Sequence, residues 1–478
     1  MDLLKWESKV QTLTRKYNHF DVWVSYEQVK SYIFNKEKVA HHGFYPLIHF
    51  TIPKIKWKNN RVDNSKEREL YYTAHIDSWI YRYYSYKLNE LYNCYISDHG
   101  FATAPVAYRT NLGKSNIDFA YNAFNFIRTL QQDNKDCYVI IGDFTHFFDS
   151  LDHQYLKECL IDLLSHKNIK IKKNRKLPQD YYNIFKNITR FSSISIQDIL
   201  KYHKLKDSVA HRKLLNSSSF NNNSGRVLTM AAVRSSDKIN ISPHKESYGI
   251  PQGTPISAVL SNIYMIHWDE SITNWTHSYH GFYQRYSDDF ILVIPKSTCN
   301  LKLLLKEFSN KCNSIKGITL QNEKCHIFEI NSNQITNLDF LNTNSDTSTV
   351  ESNNPNKKKK IINYLGFSFD GNNVSIRNKT LSRYFGKMSK AVNSIAKKNT
   401  KSKPVPLYRV YNQYTYKGTI SYRKKHQDLP HVRLITQDNG NFHDYVIRAQ
   451  RKFKDDTPII KVTNKSIQHL SKRLKAKL

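Results

Sequence analysis

Apolar and polar positions along this chain fall into short blocks with different periods. Tyr138-Val139-Ile140-Ile141 is a compact apolar run that ends in Gly142-Asp143. Its length and its abrupt polar end predict a buried strand with Asp143 at the C-terminal end. Two more apolar blocks, Gly281 to Tyr286 and Phe290 to Ile294, flank Ser287-Asp288-Asp289. They predict two strands joined by a tight turn that carries two adjacent carboxylates. A helical period appears at Tyr181-Tyr182-Asn183-Ile184-Phe185-Lys186 and again through Ser257 to Met265. Ahead of the second helix, Thr254 is the expected N-cap and Pro255 the expected first helical residue.

The chemistry sits where these blocks end. A hairpin tip that crowds two negative charges is unfavourable unless a cation is held there. The plainer alternative for Asp288 and Asp289 is a solvated turn, and for Asp143 the cap of the following helix. If Asp143 lies on a neighbouring strand of the same sheet, the three carboxylates converge and suit two Mg²⁺ ions, which prefer oxygen ligands. Gly249-Ile250-Pro251-Gln252-Gly253 lies between the acidic motifs in chain order. It reads either as an ordinary loop before a helix or as a place where Gly253 lets a base pair approach the backbone.

The order of these motifs resembles that of reverse transcriptases. Asp143 with Phe144 to Asp152, then Gln252-Gly253, Tyr286-Ser287-Asp288-Asp289 and Tyr364-Leu365-Gly366-Phe367 follow the family's sequence of elements. Ala107-Tyr108-Arg109 with Gly113-Lys114-Ser115 is similar to the fingers motif that precedes the first catalytic Asp. The resemblance covers residues 45 to 385 and is closest to the bacterial enzymes of retrons and group II introns. It implies a right-handed α+β polymerase with palm, fingers and a basic helical thumb, making DNA on an RNA template from dNTPs with two Mg²⁺ ions. Residue by residue, it implies a metal site of Asp143, Asp288 and Asp289, completed by the backbone carbonyl of Phe144. Lys54 and Arg68 would grip the incoming triphosphate, and Lys324 of Asn322-Glu323-Lys324 would lie near the departing pyrophosphate. Gln252 would contact the nucleotide, and Leu365-Gly366 would support the primer terminus. Phe148, with Phe147 as a competing candidate, would bar a 2′-hydroxyl.

Departures narrow the resemblance. The Val-Thr-Gly and Asn-Ala-x-x-His elements usual in retron enzymes are missing, and so is the Cys-x-x-Cys of intron nuclease domains. Gly371 to Tyr384 instead resembles bacterial defence-associated reverse transcriptases. That branch implies an anti-phage role and a structured non-coding RNA as template. Two other readings stay open: protein-primed or template-independent synthesis from a Tyr hydroxyl, and a general mobile-element enzyme. A catalytically inert RNA-binding scaffold is the third, non-enzymatic alternative.

Charge adds a partner. The formal net charge of +33 and pI near 9.7 call for a polyanion. Residues 375–478 hold 25 Lys and Arg against 5 Asp and Glu, a net of +20. Arg423, Lys424 and Lys425 are the expected RNA contacts there, with Arg448, Arg451-Lys452 and Lys472-Arg473-Lys475-Lys477. Interleaved rings such as Tyr408, Tyr411, Tyr414, Tyr416 and Tyr422 suit stacking on unpaired bases; a solvated basic face is the alternative. No apolar stretch approaches a bilayer span, and the first residues lack the apolar core of a signal peptide. Six scattered cysteines suit reduced thiols. The expectation is a cytoplasmic protein without membrane contact, able to oligomerise.

These readings give five segments. Residues 1–136 form an N-terminal extension and fingers, and 137–161 the palm around Asp143. Residues 162–245 are a mostly helical insertion, with a loose tract from Asn216 to Gly225. Residues 246–370 return to palm and fingers, and 371–478 form the basic thumb. A flexible loop is expected from Asn331 to Lys360, which is rich in Asn, Ser and Thr and ends in four lysines.

Overall fold

The computed structural model describes the chain except for residues 1–2, 12, 14–16, 59–60, 217–224, 322–323, 339–360, 399–406, 419–440, 455–458 and 478. Its strands, in chain order, are β1 (Leu47–Lys58), β2 (Arg61–Tyr72), β3 (Cys137–Asp143), β4 (Ser192–Ser195), β5 (Ser242–Pro243), β6 (Phe282–Tyr286) and β7 (Asp289–Pro295). They continue with β8 (His326–Asn331), β9 (Gln334–Leu338), β10 (Ile362–Tyr364), β11 (Phe367–Phe369) and β12 (Val374–Ile376). The chain divides into two compact units. One comprises Met1–Thr110, Phe144–Ile272 and Phe308–Leu320; the other comprises Asn111–Asp143, Thr273–Glu307 and Gln321–Leu478.

The second unit holds a five-stranded sheet in the order β6-β7-β3-β8-β9, with every pairing antiparallel. β3 is central, which is why its sequence is a continuous apolar run rather than an alternating one. The helix Asn116–Gln132 packs on the sheet through Ile117, Ala120, Ala123, Phe124, Ile127 and Leu130. That spacing is one helical stripe. Ser115 and Asp118 close the start of this helix as a capping box.

A glycine fixes how β3 and β7 meet. Gly142 pairs with Phe290, and a Cβ on Gly142 would lie 2.2 Å from the Phe290 ring. Only a residue without a side chain lets this ring lie flat across the strand.

The short sheet β10-β11-β12 joins the same core through Ile362, Tyr364, Phe367, Phe369, Val374 and Ile376. Beyond it runs the helix Asn378–Lys398, whose buried Tyr384, Met388, Val392 and Ile395 face Val410, Tyr414, Leu470 and Leu474. Lys379, Arg383, Lys387, Lys390 and Lys397 lie on its exposed face. Of the interleaved tyrosines, Tyr408 and Tyr416 are exposed, whereas Tyr414 belongs to the core. The Tyr411 hydroxyl lies 3.0 Å from the Ser471 hydroxyl.

In the first unit the β1–β2 hairpin carries a sheet in the order β2-β1-β4-β5. Its core gathers Phe20, Ile48, Ile194, Ile199, Leu200 and Val227. Between residues 162 and 245 the described elements are mainly short helices, among them Gln179–Thr189, Ile196–Tyr202, Val209–Leu215 and Met230–Ser235.

Two expectations need correction. The helix after Gln252 begins at Ser257, so Thr254 is not its N-cap and Pro255 is not within it. The Thr254 and Ser257 hydroxyls meet at 2.6 Å, and Ser257 also donates to the Pro251 carbonyl. That hydroxyl network closes a turn and delays the helix. The polar stretch after Asn331 is not loop throughout: Gln334–Leu338 forms β9 and pairs with β8. As an edge strand it carries polar residues, which mimic a loop in sequence. Residues 339–360 and the Asn216–Gly225 tract from 217 to 224 lie outside the described residues.

The Gly142 packing generates a test. Gly142→Ala forces the Phe290 ring aside, and overpacking of this kind costs about 1–3 kcal/mol. The expected loss is read by urea denaturation; unchanged stability would show that the ring yields freely.

Candidate active site

The carboxylates come together within the second unit. β6 and β7 are joined by a two-residue turn, Ser287-Asp288, closed by the pair Tyr286 and Asp289. Asp289 pairs in turn with Asp143 on β3. The register of three antiparallel strands therefore sets Asp143 and Asp289 side by side on one face, with Asp288 at the adjoining turn. Lys324 forms an ion pair with Asp143. The local chain aids this contact, because Gln321 N–H donates to the Asp143 carbonyl and Lys324 N–H donates to the Gln321 carbonyl.

Crowding shows in the proton affinities. Desolvation, followed by the negative charges of Asp288 and Asp143, pushes Asp289 up to about 7. Lys324 and Arg377 oppose that rise. Asp288 is also raised, first by desolvation and then by Asp143. A carboxylate held this high at neutral pH is one that gains from a cation.

The Leu365-Gly366 turn lies in the same unit. It joins β10 to β11 with φ of +46° at Leu365 and +93° at Gly366. Positive φ at both central residues is the hairpin geometry that matches strand twist. It is strained for leucine. Asn116 Nδ2 donates to the Leu365 carbonyl at 2.9 Å, and Arg377 N–H donates to the Gly366 carbonyl at 3.0 Å. Neither Asn116 nor Arg377 is a predicted site residue; Arg377 lies within the Gly371 to Tyr384 segment.

A second cluster forms within the first unit. Arg68 Nε donates to Gln252 Oε1 at 2.8 Å, across 184 residues of chain. Tyr71 N–H donates to the Gln252 carbonyl, and Ile250 N–H donates to the Phe148 carbonyl. The Gln252 loop is thus anchored both to β2 and to the Phe147–Ser150 turn. Gly253 has φ of +113°, and a Cβ there would lie 2.6 Å from the Tyr71 carbonyl oxygen. This close approach to β2 is by itself a reason for glycine at this position.

The remaining candidates separate as follows. Phe147 is buried, whereas Phe148 is half exposed. Phe144 is buried and its backbone bridges to Leu320. The cap of the helix His153–Ser165 is Asp152, which accepts from Tyr155 N–H, so capping does not account for Asp143. Lys54 lies on β1 opposite Lys66, but its side chain lies outside the described residues. Arg423, Lys424, Lys425, Asn322 and Glu323 lie outside them as well.

Among the described residues no group of three carboxylate, imidazole or thiol side chains could by itself hold a metal ion. That is compatible with Mg²⁺, which is bound through one or two carboxylates together with waters and substrate phosphates. No helix among the described residues is long and apolar enough to cross a membrane.

Comparison with known proteins gives a family for part of the chain. The profile of the reverse transcriptase (RNA-dependent DNA polymerase) family matches residues 191–369. The match includes Gln252, Asp288, Asp289, Lys324, Leu365 and Gly366, and starts after Asp143. No curated protein sequence matches the chain. Among solved structures, apo telomerase from Candida tropicalis truncated from its C-terminal domain aligns at 14% identity and a TM-score of 0.39, covering 68% of this chain and 55% of that one. Telomerase from Candida albicans in complex with the TWJ fragment of telomeric RNA aligns at 13% identity and a TM-score of 0.38, covering 94% and 66%. This chain therefore spans between half and two thirds of those two telomerase chains. Residues 191–369 thus match a reverse transcriptase domain, in a chain that mixes helix and sheet.

Proposed function

We propose that this protein is an RNA-directed DNA polymerase whose centre is Asp143, Asp288 and Asp289. The observation that carries the reading is the register of β3 and β7, which puts Asp143 beside Asp289; burial first, then the charges of Asp288 and Asp143, push Asp289 up to about 7. The donor set fits Mg²⁺, with Asp143 and Asp288 foremost as ligands and the Phe144 carbonyl as a further one. Two bound Mg²⁺ ions would supply activation of a primer 3′-oxygen and stabilisation of the leaving pyrophosphate.

The protein's own part is positioning and charge. Lys324 pairs with Asp143 and would meet the departing pyrophosphate. Arg68 fixes the Gln252 amide, so cation and nucleotide contact are oriented together, with Lys54 as the second basic group. Phe148, whose ring is partly exposed, would bar a 2′-hydroxyl, with the buried Phe147 as the competing candidate. Leu365-Gly366, pinned through its two carbonyls, would support the primer terminus. Arg423, Lys424 and Lys425 would add RNA affinity in the basic C-terminal region.

The finer assignment is to the bacterial defence-associated branch, acting in the cytoplasm on a structured non-coding RNA. Its support is the Gly371 to Tyr384 segment and the missing retron and intron-nuclease elements. Protein purified from its native locus is expected to carry one dominant RNA, and its cDNA to map to that RNA. Phage protection should require both the RNA and Asp288. Heterogeneous RNA, free use of any primer-template and no phage phenotype would overturn this branch in favour of a mobile-element enzyme.

Two substitutions test the polymerase reading. Replacing Asp288 and Asp289 together by Ala should abolish dNTP incorporation while the protein remains folded by circular dichroism. Near wild-type extension in Mg²⁺ would remove these residues from the centre. Phe148→Ala should raise rNTP use relative to dNTP by about tenfold or more, the scale of losing one steric contact of 1–3 kcal/mol. An unchanged ratio in an active variant would make Phe148 a packing residue.

A further inference from the structure

Arg285 is among the largest fully buried side chains of the described residues, at 0% exposure. Guanidinium groups are almost never buried to this degree unless they are paired. It sits on β6, two residues before the turn residue Ser287, and Nη1 donates to the Ser287 carbonyl at 2.8 Å. Ser287 has φ of +63°, a left-handed conformation that serine adopts rarely. A strained residue of this kind persists only where its surroundings hold it.

The sheet register places this arginine behind the carboxylates. Arg285 pairs with Phe290, which pairs with Gly142. The next row is Tyr286, Asp289 and Asp143. Successive rows face opposite sides of a sheet. The Arg285 side chain therefore leaves the face opposite to Asp143 and Asp289 and returns to the turn through its backbone. A hydrophobic residue would fill the same space without the cost of burying a charge. Among its contacts, the arginine supplies a charged donor on the carbonyl that precedes Asp288.

We propose that Arg285 is a positioning residue for the metal-binding carboxylates: it clamps the Ser287 carbonyl from the back of the sheet and holds Asp288 and Asp289 in place to share divalent cations with Asp143. The assignment rests on the polymerase reading for its consequence, but its direct readout is cation binding. Lys324 and Arg377 act at the front, on the carboxylates themselves. Arg285 acts through the turn.

The experiment uses the full chain and its Arg285→Met and Arg285→Lys variants. Mn²⁺ is titrated, and the half-saturation of its thermal stabilisation is recorded. Extension of oligo(dT) on poly(rA) with dTTP is measured alongside. Arg285→Met should weaken Mn²⁺ half-saturation and lower kcat by about tenfold or more, as expected for loss of a buried charge-assisted hydrogen bond. Arg285→Lys, which keeps a charge and a donor, should return both to within about threefold of wild type. Should Arg285→Met not fold, Arg285→Gln is measured against the same criterion. A folded Met or Gln variant with wild-type Mn²⁺ half-saturation overturns the proposal, and so does a Lys variant as weak as the Met variant. If the wild type binds Mn²⁺ but does not extend the primer, the polymerase reading fails and the Mn²⁺ values alone decide Arg285. No Mn²⁺ effect on the wild type overturns both.

Discussion

Repulsion among three carboxylates at the end of one sheet is the constraint around which the second unit is organised. Asp143 and Asp289 are fixed as neighbours by strand pairing, so they cannot move apart without breaking the β3–β7 ladder. Asp288 adds a third charge at the turn. Burial first, and the neighbouring carboxylates after it, raise the proton affinities of Asp288 and Asp289. A purely structural turn would relieve such crowding by substitution, since one neutral residue would remove the repulsion at no cost to the fold. A cation bound between them, as proposed for this centre, would relieve that repulsion. Lys324 already partly fills that role from the protein's own side.

The packing around this charge is correspondingly exact in its demands. Gly142 must lack a side chain because the Phe290 ring lies against its backbone, and that contact holds β7 at the height where Asp289 meets Asp143. In the first unit the same logic recurs with other residues. Gly253 yields to the Tyr71 carbonyl, and this approach lets Tyr71 N–H and Arg68 hold Gln252 from two sides. In each unit a glycine is placed where two segments must come closer than a Cβ permits. A candidate site residue lies one position away in both cases, Asp143 after Gly142 and Gln252 before Gly253.

Legibility in the sequence followed the strength of local patterning. The strands around Ser287-Asp288 and the strand ending at Asp143 were readable because they are apolar runs with abrupt polar ends. β9 was hidden because an edge strand in solvent needs no apolar alternation, and Gln334–Leu338 resembles the polar stretch that follows it. The delayed helix start at Ser257 depends on a hydroxyl network among Pro251, Thr254 and Ser257, and no propensity scale contains such a network. Arg68 and Gln252 could be named singly by resemblance, but their contact spans a sequence separation that only the tertiary fold brings together. Arg285 was passed over inside a block read as apolar. A lone arginine between strand residues was itself the available signal, since burial of a charge requires a reason.

Three of the nine described non-glycine residues with positive φ sit at these turns. Ser287, Leu365 and His146 all have positive φ, and each begins or forms a turn next to a candidate functional residue. Glycine would adopt these conformations without the steric penalty of about 1 kcal/mol or more that other residues incur. A glycine would also be free to leave them, because it gains more freedom in alternative conformations than any other residue. Side chains at these positions narrow the choices, while hydrogen bonds from Arg285 and Asn116 hold the strained choice in place at Ser287 and Leu365. The turns are therefore stiffer than glycine turns of the same shape. Stiffness is what the proposed centre would require, because its rate would depend on how accurately charge and primer end are held when the nucleotide arrives.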